Sequence, residues 1–252
     1  MDRIEHSAIV RGKMGIAPVS QGGDDPELQK ILDYFLFGEV WQQGSLEDAQ
    51  RELITVAVLA ALGTPDQCRS HVGVALSVGA TPTQIKEAIY QCAPYIGFPR
   101  TLVAARQANQ VFEQRGISLP HPAQATVTEE NRLEKGIEAQ SAIFGSETIQ
   151  DMRNSAPDDL KHLQDYLSAY CFGDIYTRGG LGVPMRELLT FSVLCALGGC
   201  ESQVRAHIRG NLSVGNTRQN LIDALTQCLP YIGFPRTLNA LSCLNEIVPA
   251  EK

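Results

Sequence analysis

The chain has 252 residues, 44% hydrophobic and 19% charged, with a formal net charge of −7. That composition is globular and excludes wholesale disorder, a collagen-like repeat and a long coiled coil. The acidic balance lacks the footprint of a nucleic-acid binder, no apolar run reaches the roughly 18 residues of a membrane helix, and the opening MDRIEHSAIVRGKMG has no apolar signal core.

In chain order, the first 25 residues, with MGIAPVSQGGDD, read as loosely structured. Residues 47–62 are rich in Ala and Leu and apolar nearly all round, which predicts a buried helix closed by Gly63. A second helix is expected over 65–78, ending at Gly79. Thr81 then caps a third, with Pro82 first and Gln84 at the capping-box position, running to about Ala93. Pro94 and YIGFP break it, and a last helix runs from about Pro99 to Gln114. The stretch 115–130, RGISLPHPAQATVTEE, reads as a linker. An extra helix is expected in EENRLEKGIEAQSAIFG, after which the same order returns with Thr217 as a cap. Nothing alternates with period two for long, so the fold class is all-α.

The return is a tandem repeat. RELITVAVLAALG (51–63) answers RELLTFSVLCALG (186–198), and YIGFPRTL occurs at 95–102 and again at 231–238. HVGVALSVGAT (71–81) answers HIRGNLSVGNT (207–217), and FGEVWQQGSL (37–46) answers FGDIYTRGGL (172–181). Two copies fit a fused homodimer better than a solenoid, which usually needs three or more units. The expected domains are 1–117 and 128–252, with 118–127 as linker.

Few polar residues next to the buried helices occur in both copies. They are Arg51/Arg186, Glu52/Glu187, Thr55/Thr190, His71/His207, Gln91/Gln227, Tyr95/Tyr231, Arg100/Arg236 and Thr101/Thr237. A buried carboxylate needs a partner. Glu52 and Glu187 fit a helix N-terminal charge favoured by the dipole, an arginine ion pair, or a role orienting His71 and His207, each about one helix and a turn further on. Arg100 and Arg236, in GFPR, suit bidentate capture of a substrate carboxylate, neutralisation of those glutamates, or simple exposure. The seven cysteines are odd in number and none has CxxC spacing. That argues against a disulfide scaffold and a zinc ribbon and for a reduced cytoplasm. Cys200, seven residues before His207, and Cys68, three before His71, are the cysteines placed for a redox role, and neither has a resolving partner nearby in sequence.

The run RELxTxxxLxALG, a His-centred helix, LSVGxT and QCxPYIGFPRTL together resemble the carboxymuconolactone decarboxylase family, also called AhpD-like, over about 45–115 and 135–247. The resemblance implies an all-helical fold in two copies. It also implies a homo-oligomer in which three two-copy chains make a pseudo-hexamer, and a small-molecule substrate. In the alkylhydroperoxidase branch a Glu pairs with CxxC and a following His. Here Glu52, Glu187, His71 and His207 match, but the cysteine positions hold Thr64 and Gln67 in lobe 1, and Cys200 and Gln203 in lobe 2. A thiol relay needs two thiols. The decarboxylase branch has a signature like WGxIWxRPGL. Arg178 matches its arginine and Tyr176 replaces its aromatic, whereas lobe 1 keeps Trp41 and has Gln43 for the arginine.

The resemblance therefore implies a carboxy-lyase-like enzyme that needs no cofactor or metal. Glu52, His71, Glu187 and His207 would be its acid–base groups, and Arg178, Arg100 and Arg236 would hold the substrate carboxylate. A peroxidase using Cys200 and a degenerate small-molecule binder are the alternatives. Arg178 and Cys200 make lobe 2 the expected active lobe.

Overall fold

The computed structural model describes residues 1–16 and 24–250, and every regular element among them is helical. The all-α expectation is met; the loose N-terminus is corrected. Helix α1 spans Arg3–Met14 and α2 spans Pro26–Leu36. The Asp2 carboxylate accepts from the N–H groups of Ile4 (2.9 Å) and Glu5 (3.0 Å), and Glu5 accepts in return from the Asp2 N–H at 3.2 Å. This reciprocal cap starts α1, and Gly15, at φ 68°, ends it. A buried ion pair between Arg11 and Asp33 ties α1 to α2. The short, mostly polar segment RIEHSAIVRGKM shows no wide apolar face, which hid the helix from a periodicity reading. The expectation for MGIAPVSQGGDD falls partly on residues 17–23, outside the described residues.

A 3₁₀ turn, Val40–Gln42, leads into α3 (Asp48–Leu62), which is buried continuously from Arg51 to Ala61. Gly63 closes it in the left-handed region at φ 73°, which L side chains adopt only with strain. Helix α4 (Pro65–Ser77) returns along α3, and α5 (Pro82–Gln91) follows the Thr81 cap. The Thr81 hydroxyl accepts from the Gln84 N–H (3.2 Å), and Gln84 Oε1 accepts from the Thr81 N–H (2.9 Å), as the sequence predicts. The expected break in YIGFP is a bend at Gly97 (φ 76°, ψ 163°) inside α6 (Ala93–Gln114).

Helix α7 (Arg132–Phe144) is the expected extra helix. Then come α8 (Ser146–Asn154) and α9 (Lys161–Tyr166), which runs into a π-helical stretch, Leu167–Tyr176, that the sequence did not announce. The second copy continues with α10 (Val183–Leu197), α11 (Glu201–Ser213) and α12 (Arg218–Ile247), the last bent at Gly233 (φ 75°, ψ 168°).

The two apolar helices, α3 and α10, pack on each other at the centre. Helix α12 also covers α3 and α5 covers α10, so each copy's central helix is enclosed partly by the other copy, and one hydrophobic core runs through both. Among the described residues no helix is long and apolar enough to cross a membrane.

Candidate active site

The hairpin α3–α4 brings Glu52 and His71 together, with Nδ1 and Oε2 2.9 Å apart. The hairpin α10–α11 repeats this with Glu187 and His207, again at 2.9 Å. Both glutamates are fully buried, and among the described residues neither pairs with an arginine. Of the roles their sequence left open, the structure gives the imidazole partner. With the carboxylate ionised, Nδ1 carries the hydrogen and Nε2 is left for other chemistry. The histidine side chains are 12% and 11% exposed, at the edge of the core.

Each histidine meets a tyrosine from the other copy. Tyr231 lies edge-on to His71 at 5.6 Å between ring centroids, and Tyr95 lies edge-on to His207 at 5.8 Å. The cause is the bend at Gly97 and Gly233, just after each tyrosine, on helices that reach across to the opposite central helix. The amides follow the same exchange: Gln227 donates to Thr55 Oγ1 and Gln91 donates to Thr190 Oγ1, both at 3.1 Å. Each site is thus built by both copies.

The two sites then differ. In lobe 2 the Tyr176 hydroxyl donates to Glu187 Oε1 (2.7 Å) and lies 3.0 Å from Thr190 Oγ1 and 3.2 Å from the Tyr95 hydroxyl. In lobe 1 Trp41 stands there, and its indole N–H donates to Asp48 instead, at 3.0 Å. Burial holds the Tyr95, Tyr176 and Tyr231 phenols well above the ordinary tyrosine range, so they remain protonated. Tyr176 is the functional candidate that sequence reasoning passed over. The signal was the Trp41/Tyr176 difference between otherwise matching segments.

The three arginines are placed elsewhere. Arg178 grips Glu87 of the first copy (Nε to Oε2 3.0 Å, Nη2 to Oε1 2.9 Å), and Arg186 shares the same carboxylate at 2.9 Å. Arg178 also lines a cleft of about 610 Å³ with Lys86, Tyr90 and His121. Arg100 donates to the Ala61 carbonyl (2.7 Å) at the C-terminal end of α3, where a cation suits the helix dipole. Arg236 lies beside Gly198 at the matching end of α10. The structure brings none of the three to a Glu–His pair. Cys200 donates to the Leu194 carbonyl at 3.3 Å, and burial, then Glu201 and Cys243, push its thiol pKa up. Among the described residues no group of three or more His, Cys, Asp or Glu is placed to hold a metal ion.

Fold and site describe a tandem helical protein with two carboxylate–imidazole sites, each completed across the copy boundary. The profile of the carboxymuconolactone decarboxylase family matches residues 26–110 and 161–246, and the chain belongs to that family. It is 37% identical to a 4-carboxymuconolactone decarboxylase of Acinetobacter baylyi over 36% of this chain and 69% of the relative. It is 24% identical to nitrosuccinic acid decarboxylase of Metarhizium robertsii, over 43% of the chain and 76% of the relative. A peroxisomal protein 2 of Schizosaccharomyces pombe is 21% identical over 72% of the chain and 84% of its own length.

Proposed function

We propose that this chain is a carboxy-lyase that removes CO2 from a small acid by acid–base catalysis at its Glu–His pairs. The observation that supports this is the buried 2.9 Å contact between carboxylate and imidazole, made identically in both copies with Nε2 free of it. The names of two relatives point to a lactone acid and a nitro acid. In acids of either kind the electron pair of the breaking C–C bond can pass into an adjoining acceptor, a conjugated lactone carbonyl or a nitro group. The product carbon then takes a proton. His71 or His207 delivers it from Nε2, the glutamate stabilises the imidazolium in the meantime, and solvent restores the proton. The raised thiol of Cys200 favours this chemistry over a thiol relay, because the thiolate is the reactive form.

Self-association of the chains into a ring of three belongs to the same proposal. Its support is an apolar face repeated in both copies: Phe98 (58% exposed), Leu102 (59%), Phe234 (61%) and Leu238 (56%). Light scattering on the purified chain tests it, with a monomer as the refuting mass.

The enzymatic test is CO2 release from 4-carboxymuconolactone and from nitrosuccinic acid. His71→Ala combined with His207→Ala is expected to lower turnover by about 10²–10⁴-fold with the thermal transition retained. Turnover that survives the double substitution refutes the acid–base role.

A further inference from the structure

Lobe 2 carries a hydroxyl of its own at a place where lobe 1 has none. The groups that surround the Tyr176 hydroxyl are Glu187 Oε1, Thr190 Oγ1 and the Tyr95 hydroxyl. By the repeat, their counterparts in lobe 1 are Glu52 Oε1, Thr55 Oγ1 and the Tyr231 hydroxyl. Trp41, at the Tyr176 position, turns its one polar atom away to Asp48. Among the described residues neither Glu52 Oε1 nor the Tyr231 hydroxyl has a hydrogen-bond partner within 3.5 Å, although both atoms are buried and Thr55 lies close to the phenol. Buried polar atoms are nearly always satisfied, and two unpartnered ones in one site suit an ordered water or the hydroxyl of a ligand that displaces it.

We propose that Glu52 Oε1 and the Tyr231 hydroxyl bind one hydroxyl group of a small ligand in lobe 1, and that Tyr176 is the built-in occupant of the same position in lobe 2. A carboxylate oxygen only accepts, and a phenol kept protonated by burial donates. The ligand oxygen between them must therefore donate to one and accept from the other. That selects an alcohol or enol. A carbonyl or carboxylate would set lone pairs against Glu52. The site is thus a specificity element for a hydroxyl substituent, distinct from the carboxylate that is lost. The His71 ring sits at the core edge beside Tyr231. Sequence alone favours lobe 2 as the working half; this geometry gives ligand recognition to lobe 1. The inference deepens the carboxy-lyase reading and rests on it only for the choice of a lactone as the probe.

Trp41 is the single tryptophan of the chain and belongs to a small apolar cluster against which Tyr231, Val74 and Val78 pack, so its emission reports on lobe 1. The full chain is titrated with α-hydroxy-γ-butyrolactone and, separately, with γ-butyrolactone. The hydroxylated lactone is expected to bind about tenfold more tightly, as one hydrogen bond to a charged group implies. Glu52→Gln and Tyr231→Phe are each expected to abolish that preference. In calorimetry, Tyr176→Ala, which removes the ring together with the hydroxyl, is expected to raise the stoichiometry from one hydroxy-lactone per chain to two. Equal affinity for the two lactones, no response to either at millimolar concentration, or a preference that survives both lobe 1 substitutions overturns the proposal. An unchanged stoichiometry in a folded Tyr176→Ala chain overturns the equivalence of the two positions. None of these readouts needs turnover: selective binding without decarboxylation refutes the lyase and leaves this inference standing.

Discussion

Glu87 is the strongest electrostatic link between the copies, and replacing it with glutamine tests how they are joined. Its carboxylate is 1% exposed and is held by Arg178 and by Arg186, which is itself fully buried. Glu87→Gln keeps the shape and removes the negative charge. Arg178 is partly exposed and can turn to water, but Arg186 cannot. Breaking a buried pair by deleting one partner costs about 3–5 kcal/mol. Arg186 keeps the Gln91 amide oxygen and the carbonyls of Arg178 and Gly179, all at 2.9–3.1 Å, so the cost falls at the low end, about 3 kcal/mol. For a chain of this size that is a fall in Tm of about 6–12 °C. The internal control is Asp223→Asn. Asp223 holds the matching place in lobe 2 but accepts from the Ser45 N–H (2.8 Å) and Gln219 (2.6 Å); among the described residues no arginine lies within 4.0 Å of it, and Arg51 feels its charge only from further off. Its replacement costs about 1 kcal/mol. Urea unfolding followed by far-ultraviolet circular dichroism measures both. Equal losses in the two variants, or a loss below about 1 kcal/mol in Glu87→Gln, refute the assignment of a charge-paired seam on one side only.

Two further outcomes follow from the packing. At Gly136 of α7 a Cβ would lie 1.9 Å from the Ser168 carbonyl oxygen, so Gly136→Ala must push α7 off the π-helical stretch; a Tm within about 2 °C of wild type would show that the helices do not approach so closely. Burial raises the thiols of Cys68, Cys171 and Cys228 from 9.0 to about 12, so the folded chain holds protons that the unfolded chain releases. Their stabilising effect is complete below pH 9 and is lost between pH 9 and about 12, at up to ~1.4 kcal/mol per pH unit for each thiol. A Tm that stays level from pH 8 to about 10.5 contradicts that burial.

What the sequence made legible and what it hid have one physical cause. A repeat shows which residues are equivalent, and it marked Glu52 with Glu187 and His71 with His207, which the hairpins then bring to 2.9 Å. Spacing within a hairpin is local, so this pairing was open to a reading of the chain. A repeat does not show which copy a side chain faces. In sequence Tyr95 and Tyr231 are only a repeated pair, yet each packs against the histidine of the other copy. Arg178, marked by its motif as a carboxylate holder, has its carboxylate supplied from the first copy by Glu87. Long-range placement of this kind depends on how two packed units turn against each other, which no window of sequence encodes.

The differences between the copies gather at that same seam. Arg178 stands against Glu87, and the corresponding Gln43 segment stands against the shorter Asp223, which reaches the Ser45 backbone instead. Gly44 permits that approach, since a Cβ there would lie 2.2 Å from the Asp223 carboxyl. Tyr176 completes one site while Trp41 leaves two polar atoms of the other unpartnered. The change from Gln43 to Arg178 is thus matched by the change from Asp223 to Glu87 across the seam, whereas the groups facing Trp41 and Tyr176 are the same in both copies. Two copies bound in one chain always meet the same partner, so the two sides of the seam can diverge as complementary pairs. In a homodimer every substitution would appear on both sides at once. Fusion permits two unlike sites, and the hydroxyl of Tyr176 is where that difference reaches the Glu–His pair.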